Sequence, residues 1–123
     1  MNSPGGERFP KSHRLRKRLE YLAIQQQGLR VQSYGFTGLL RIRESGATRL
    51  GITITKKVGN AVVRNRTKRL VREAFRRGWF HLPDRTDVII VAKKTAVTLD
   101  SKAVFKDLSI LGDRVAKRVE QRG

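Results

Sequence analysis

From Lys56 to Phe75 the chain reads KKVGNAVVRNRTKRLVREAF, a stretch that lays an apolar stripe and a basic stripe along one predicted helix. At about 100° per residue, Val63, Thr67, Leu70, Val71, Ala74 and Phe75 share one arc. Asn65, Lys68, Arg69, Arg72 and Arg76 share the opposite arc, with Arg64 and Arg66 flanking both. Gly59 and Asn60 precede the periodic segment, and an Asn side-chain oxygen is suited to accept one of the orphan N–H groups at a helix start. Arg76, Arg77 and Gly78 supply cations in the last turn and a residue that tolerates the left-handed conformation of a helix stop. Such a helix must bury one side on a core and leave the other to solvent or an anion.

A solvated face is the simplest account of a charge run, but solvated faces normally mix signs. Between Lys56 and Arg77 there are nine Lys and Arg and a single acid, Glu73. One-signed density repels itself and destabilises the folded state unless an anion neutralises it. Six of those cations are Arg, whose planar guanidinium grips a phosphate with two parallel hydrogen bonds. Across the whole chain 28 basic side chains face 10 acidic ones, a formal charge of +18, which makes nucleic acid the leading partner. An anionic membrane is the other polyanion to weigh. No apolar run approaches the roughly 20 residues of a span, and the apolar arc of the basic helix is committed to a core.

At 123 residues the chain has the length of one domain. The absence of Cys excludes disulfides, thiolate catalysis and Cys-type zinc sites, and fits a reducing compartment. No apolar signal region opens the chain, so a cytoplasmic location is expected. Residues 1–11 read as a flexible arm and residues 12–123 as a single nucleic-acid-binding domain. A first helix is predicted from Ser12, with Leu15, Leu19, Leu22 and Ala23 on its inner face and Gly28 as its stop. Val31 to Arg43 alternates in its second half, placing Phe36, Gly38, Leu40 and Ile42 opposite Thr37, Leu39, Arg41 and Arg43. After a turn near Gly46, Leu50 to Thr55 alternates again and is expected to pair with the strand before it. Asp87 to Ala92 reads as a buried strand. Asp100 or Ser101 then caps a last helix with Val104, Phe105, Leu108, Leu111, Val115 and Val119 as its core stripe, slightly weakened by Gly112. The expected fold is an α/β (α+β) two-layer sandwich in the order α-β-β-β-α-β-α. Helices on one face of a small sheet would leave the other face open, forming a groove with the first helix.

Little in the chain suggests chemistry of its own. The two histidines, His13 and His81, invite the idea of acid/base cleavage of RNA, but a surface or loop role accounts for both. Glu73, Asp84, Asp87 and Asp100 form no recognisable metal motif, and no phosphate-cradling glycine loop is present. Tyr21, Tyr34, Phe36, Trp79 and Phe80 raise the possibility of base stacking, with core packing the better account of Phe36, Phe75 and Phe105. Tyr21 is the most open of these, a ring beside an apolar stripe with a hydroxyl that favours water.

The segment Lys57-Val58-Gly59-Asn60-Ala61-Val62, followed by Arg64-Asn65-Arg66 and Lys68-Arg69, resembles the signature of the bacterial ribonuclease P protein subunit. The resemblance runs from the Arg14-Leu15 region through Ala92-Lys93-Lys94 to the final helix. It implies a monomeric subunit, bound 1:1 to a catalytic RNA, that helps remove the 5′ leader from precursor transfer RNA. Hydrolysis in that family relies on Mg2+ held mainly by the RNA, so no catalytic or metal-binding residue is expected in this chain. The family fold carries a left-handed βαβ crossover around its basic helix in a small mixed sheet. Carried over by position, the RNA-contacting residues are Lys56, Lys57, Arg64, Asn65, Arg66, Lys68, Arg69 and Arg72, and the leader groove falls on Tyr21, Gln25, Thr37 and Leu39. Gln25 stands where the family often has a second aromatic, and Leu39 where an outward tyrosine is common, so leader contacts would depend less on stacking. Two other readings share the same charge: a basic ribosomal or RNA-chaperone module, and a self-sufficient nuclease. They part on what else cleavage requires.

Overall fold

The strand with no polar face organises the sheet. Val88 and Ile90 of the fourth strand point one way, Ile89 and Val91 the other, so both faces need cover and the strand needs neighbours on both sides. The computed structural model describes Arg14 and residues 18–122. In chain order these form α1 (Arg18–Gln27), β1 (Leu29–Gln32), β2 (Phe36–Ile42), β3 (Arg49–Thr53), α2 (Ala61–Arg76), β4 (Thr86–Ala92), a short 3-10 turn (Lys94–Thr98) and α3 (Ser101–Arg122). The sheet order is β1-β2-β4-β3, with β2 antiparallel to both β1 and β4, and β3 parallel to β4. The expected pairing of β3 with the strand before it is therefore corrected: β4 inserts between them, and β3 reaches it through the α2 crossover. The interior position suits a strand apolar on both faces, since there the α2/α3 core covers Val88 and Ile90 on one side and Ile24 of α1 covers Ile89 on the other.

The larger core lies on one face of the sheet. Phe36, Leu40, Leu50, Val88 and Ile90 pack against Val71 and Ala74 of α2 and Val104, Leu108, Leu111 and Val115 of α3. Asp100 accepts a hydrogen bond from the Ala103 N–H at 2.8 Å, which is the cap expected for α3. Gly112 has a packing reason beyond its low helix propensity: a Cβ there would stand 2.7 Å from the His81 carbonyl oxygen, so the loop after α2 can approach α3 only over a glycine. Asp107, buried on α3, accepts from the Ser33 hydroxyl at 2.7 Å and the Gly35 N–H at 2.9 Å and so pins the β1–β2 turn.

The sheet's second face carries α1, so the helices are not all on one side. Ile24, fully buried, sits on Leu39 and Ile89, with Tyr21 and Val91 beside them. Burying one isoleucine contributes roughly 2–3 kcal/mol, a small hold for a whole helix, and the Glu20–Arg49 ion pair at 2.6 Å adds to it. The expected inner face of this helix is corrected. Leu19 is 77% exposed and Leu22 38%, because Glu20 on Arg49 and Tyr21 at the Ile52 backbone fix the rotation that turns Ile24 inward. Among the described residues the helix runs from Arg18, and Arg14, which the helix expected from Ser12 would include, instead forms an isolated parallel bridge with Leu50 on the outer edge of β3. Ser12, His13, Leu15, Arg16, Lys17 and the expected arm of residues 1–11 lie outside the described residues.

Candidate nucleic-acid interface

Both ends of α2 form as its sequence predicts. The Asn60 side chain accepts from the Val63 N–H at 3.0 Å, and Gly78, at φ +72°, lets its N–H reach the Phe75 carbonyl at 3.1 Å. Thr67, Val71 and Ala74 are buried, with Val63, Leu70 and Phe75 half-buried around them. On the other side Asn65, Arg66, Arg69 and Arg72 are exposed, Arg64 and Lys68 are half-buried, and Lys56 and Lys57 stand exposed just before the helix.

The one acid of this segment does not neutralise that face. Glu73 is bound by Arg76 at 2.6 Å and by Arg77, and the Arg76 hydrogen bond is the leading cause of its lowered pKa. Among the described residues no ion pair involves Lys56, Lys57, Arg64, Arg66, Lys68, Arg69 or Arg72. The result is a rigid rod with a row of cations on its outer face, a geometry matched to a run of phosphates.

The expected groove residues lie around α1, but not all of them line a surface. Tyr21 is half-buried; burial raises its pKa against the opposing charge of Arg72, and its oxygen hydrogen-bonds to the Ile52 backbone. Tyr21 thus ties α1 to the β3 edge, where the charge of Arg72 on the basic helix acts on it. Gln25 is exposed, and Thr37 is half-buried on β2. Leu39 is 9% exposed beneath Ile24, so it seats α1 and is no contact surface; Gln25 and Thr37 remain accessible around it.

An unexpected cluster marks the other end of the same face. Asp87, fully buried at the start of β4, receives Arg41 Nη2 at 2.6 Å and Arg49 Nε at 2.8 Å, while Arg43 Nε lies 3.0 Å away. Burial pushes the Asp87 carboxyl up, but hydrogen bonds from Arg49 and Arg41 outweigh it and hold the pKa below the ordinary carboxylate value. Arg49 also grips Glu20, so the cluster ties α1 to three strands. The alternation had placed Arg41 and Arg43 on this face; what it lacked was the register that sets Arg41 and Arg49 beside Asp87.

The remaining candidates resolve simply. Phe36 and Phe80 are buried, Phe75 and Phe105 pack on the core, and Tyr34 is exposed. Trp79 stacks edge-on to Phe105 at 4.5 Å with the Arg77 guanidinium over its ring. His81 is exposed in the loop after α2, and His13 falls outside the described residues. Among the described residues no three of His, Cys, Asp and Glu converge to hold a metal ion.

A small α+β domain with a helix whose outward Arg and Lys have no acid partner among the described residues is, by class, a binder of nucleic-acid backbone. The family model for ribonuclease P matches residues 9–116. The chain is 40% identical over 113 residues to the ribonuclease P protein component of Desulfatibacillum aliphaticivorans, covering 92% of this chain and 96% of that one. It is likewise 40% identical over 112 residues to that of Geobacter sp. strain M21, covering 89% and 94%. Among solved structures it resembles the Staphylococcus aureus ribonuclease P protein at a TM-score of 0.77, with 30% identity over 87% of this chain and 97% of that one. The Thermotoga maritima protein follows at 0.74 and 34% identity, over 82% and 96%. The chain belongs to the ribonuclease P protein family, the protein components of an RNA-based endoribonuclease that processes transfer RNA 5′ ends.

Proposed function

We propose that this protein binds the catalytic RNA of ribonuclease P through α2 and holds the 5′ leader of precursor transfer RNA against the α1 side of the sheet. The observation that carries the reading is the outer face of α2, where Arg66, Arg69 and Arg72 stand exposed with no acid partner among the described residues. In this reading Lys56, Lys57, Arg64, Asn65 and Lys68 extend the same contact, and Tyr21, Gln25 and Thr37 border the leader's path. The protein acts as a monomer, 1:1 with the RNA, in the cytoplasm; no helix among the described residues is long and apolar enough to cross a membrane.

Among the described residues no three acids or histidines converge as a metal site, and Asp87 and Glu73 are engaged by arginines. In this reading the magnesium ions of the reaction are held mainly by the RNA, and the protein's part is to position and neutralise. Replacing Arg66, Arg69 and Arg72 with Ala tests the assignment. These side chains are exposed, so folding should persist, while the slope of log K against log salt for catalytic-RNA binding should fall by about 2–3. An unchanged slope would remove α2 from the interface.

A further inference from the structure

A second cationic surface lies on the opposite edge of the sheet. Arg114, Lys117 and Arg118 of α3, with Val31 and Gln32 of the edge strand β1 and Gln121, line a shallow hollow of about 270 Å³. Arg114 Nη1 donates to the Gln32 carbonyl at 2.5 Å, which fixes this guanidinium at the junction of helix and sheet edge. Lys117 and Arg118 follow at the three- and four-residue spacings that place side chains about 5–6 Å apart on one helix face. Lys102 and Lys106 are exposed farther along the same helix. Asp113 and Glu120 are exposed on α3 as well, yet neither forms an ion pair with these cations among the described residues.

We infer that this β1–α3 hollow is a second RNA-backbone site, engaging a segment of RNA different from the one that lies on α2. It rests on the proposed RNA-binding function and extends it to a face that function leaves unused. The separation follows from the sheet order. Helix α2 connects β3 to β4, whereas the hollow lies at the β1 edge, three strand spacings from β3. At about 4.8 Å per spacing the edges are roughly 15 Å apart, and α3, packed on α2 as well as on β1, lies between the two surfaces. The hollow is open, and its three cations follow the helix rather than converge on a point. That arrangement suits consecutive phosphates of a strand better than a single small anion.

The test uses the full chain with Lys117→Gln/Arg118→Gln, and the triple variant that adds Arg114→Gln. Binding is measured across a salt series in two arms: catalytic RNA to protein, and precursor transfer RNA to the assembled holoenzyme. In one arm the slope should fall by about 1.4–1.8 for the double variant and about 2–3 for the triple, and the arm affected identifies which RNA occupies the hollow. Arg114 also anchors α3 to β1, so the double variant carries the test if the triple fails to fold. Wild-type slopes in both arms for the double variant would overturn the inference. If wild-type protein itself shows no salt-dependent binding to either RNA, it is the proposed function that fails.

Discussion

Replacing Asp87 with Asn removes the charge that Arg41, Arg43 and Arg49 share while keeping the side chain's shape. Removing one partner of a buried ion pair costs about 3–5 kcal/mol. The three arginine side chains keep 22%, 23% and 25% of their exposure, so water reaches them and the loss should lie at the low end, about 3 kcal/mol. With a urea slope of about 1.5 kcal/mol per molar, the unfolding midpoint should fall by about 2 M, read from the fluorescence of Trp79. The pH dependence has a definite sign. The folded carboxyl titrates below its unfolded value, so its stabilisation is complete above the ordinary carboxylate range and is lost as pH falls through the folded pKa. The gap between wild type and variant should hold from pH 7 to about 5 and narrow below about 4. A loss under about 1 kcal/mol, or a gap that persists in acid, would show that the arginines do not depend on this charge.

Three further outcomes follow from other parts of the molecule. Gly112→Ala should destabilise by about 1–3 kcal/mol through overpacking against the His81 carbonyl; a urea midpoint equal to or above wild type would mean the loop simply moves aside. Asn60→Ala should cost about 1 kcal/mol by stripping the α2 cap, and hydrogen exchange at Val63 should accelerate selectively, a uniform change being the contrary result. Tyr21→Ala should weaken holoenzyme binding of leader-bearing precursor more than of mature transfer RNA, and equal losses would refute its place beside the leader.

Local signals carried α2 and α3 almost entirely, because each combines a cap, a stripe and a stop within one segment. Asn60, Gly78 and Asp100 all do what their side chains or backbone freedom suggest. The basic face was legible for the same reason: one-signed charge on one arc needs no tertiary information to be seen. What was not legible depends on pairs distant in sequence. The insertion of β4 between β2 and β3 suits the burial of both faces of one strand. The rotation of α1 is set by Arg49 and Ile52 rather than by its own leucines. Asp87 could be read only as the start of a strand until the register put arginines from two neighbours beside it. Leu39 has the right parity for a groove but lies where α1 comes down, and parity alone cannot say which part of a face is covered.

The most direct measurement is 5′-leader cleavage of a precursor transfer RNA at low magnesium, comparing the protein alone, the cognate catalytic RNA alone and the two combined. Efficient cleavage is expected only with the combination, and is expected to be lost when Arg66, Arg69 and Arg72 are changed to Ala. Cleavage by the purified protein alone would contradict it by placing the chemistry in this chain, and a catalytic RNA left unstimulated by the protein would contradict it by returning the chain to a ribosomal or chaperone role.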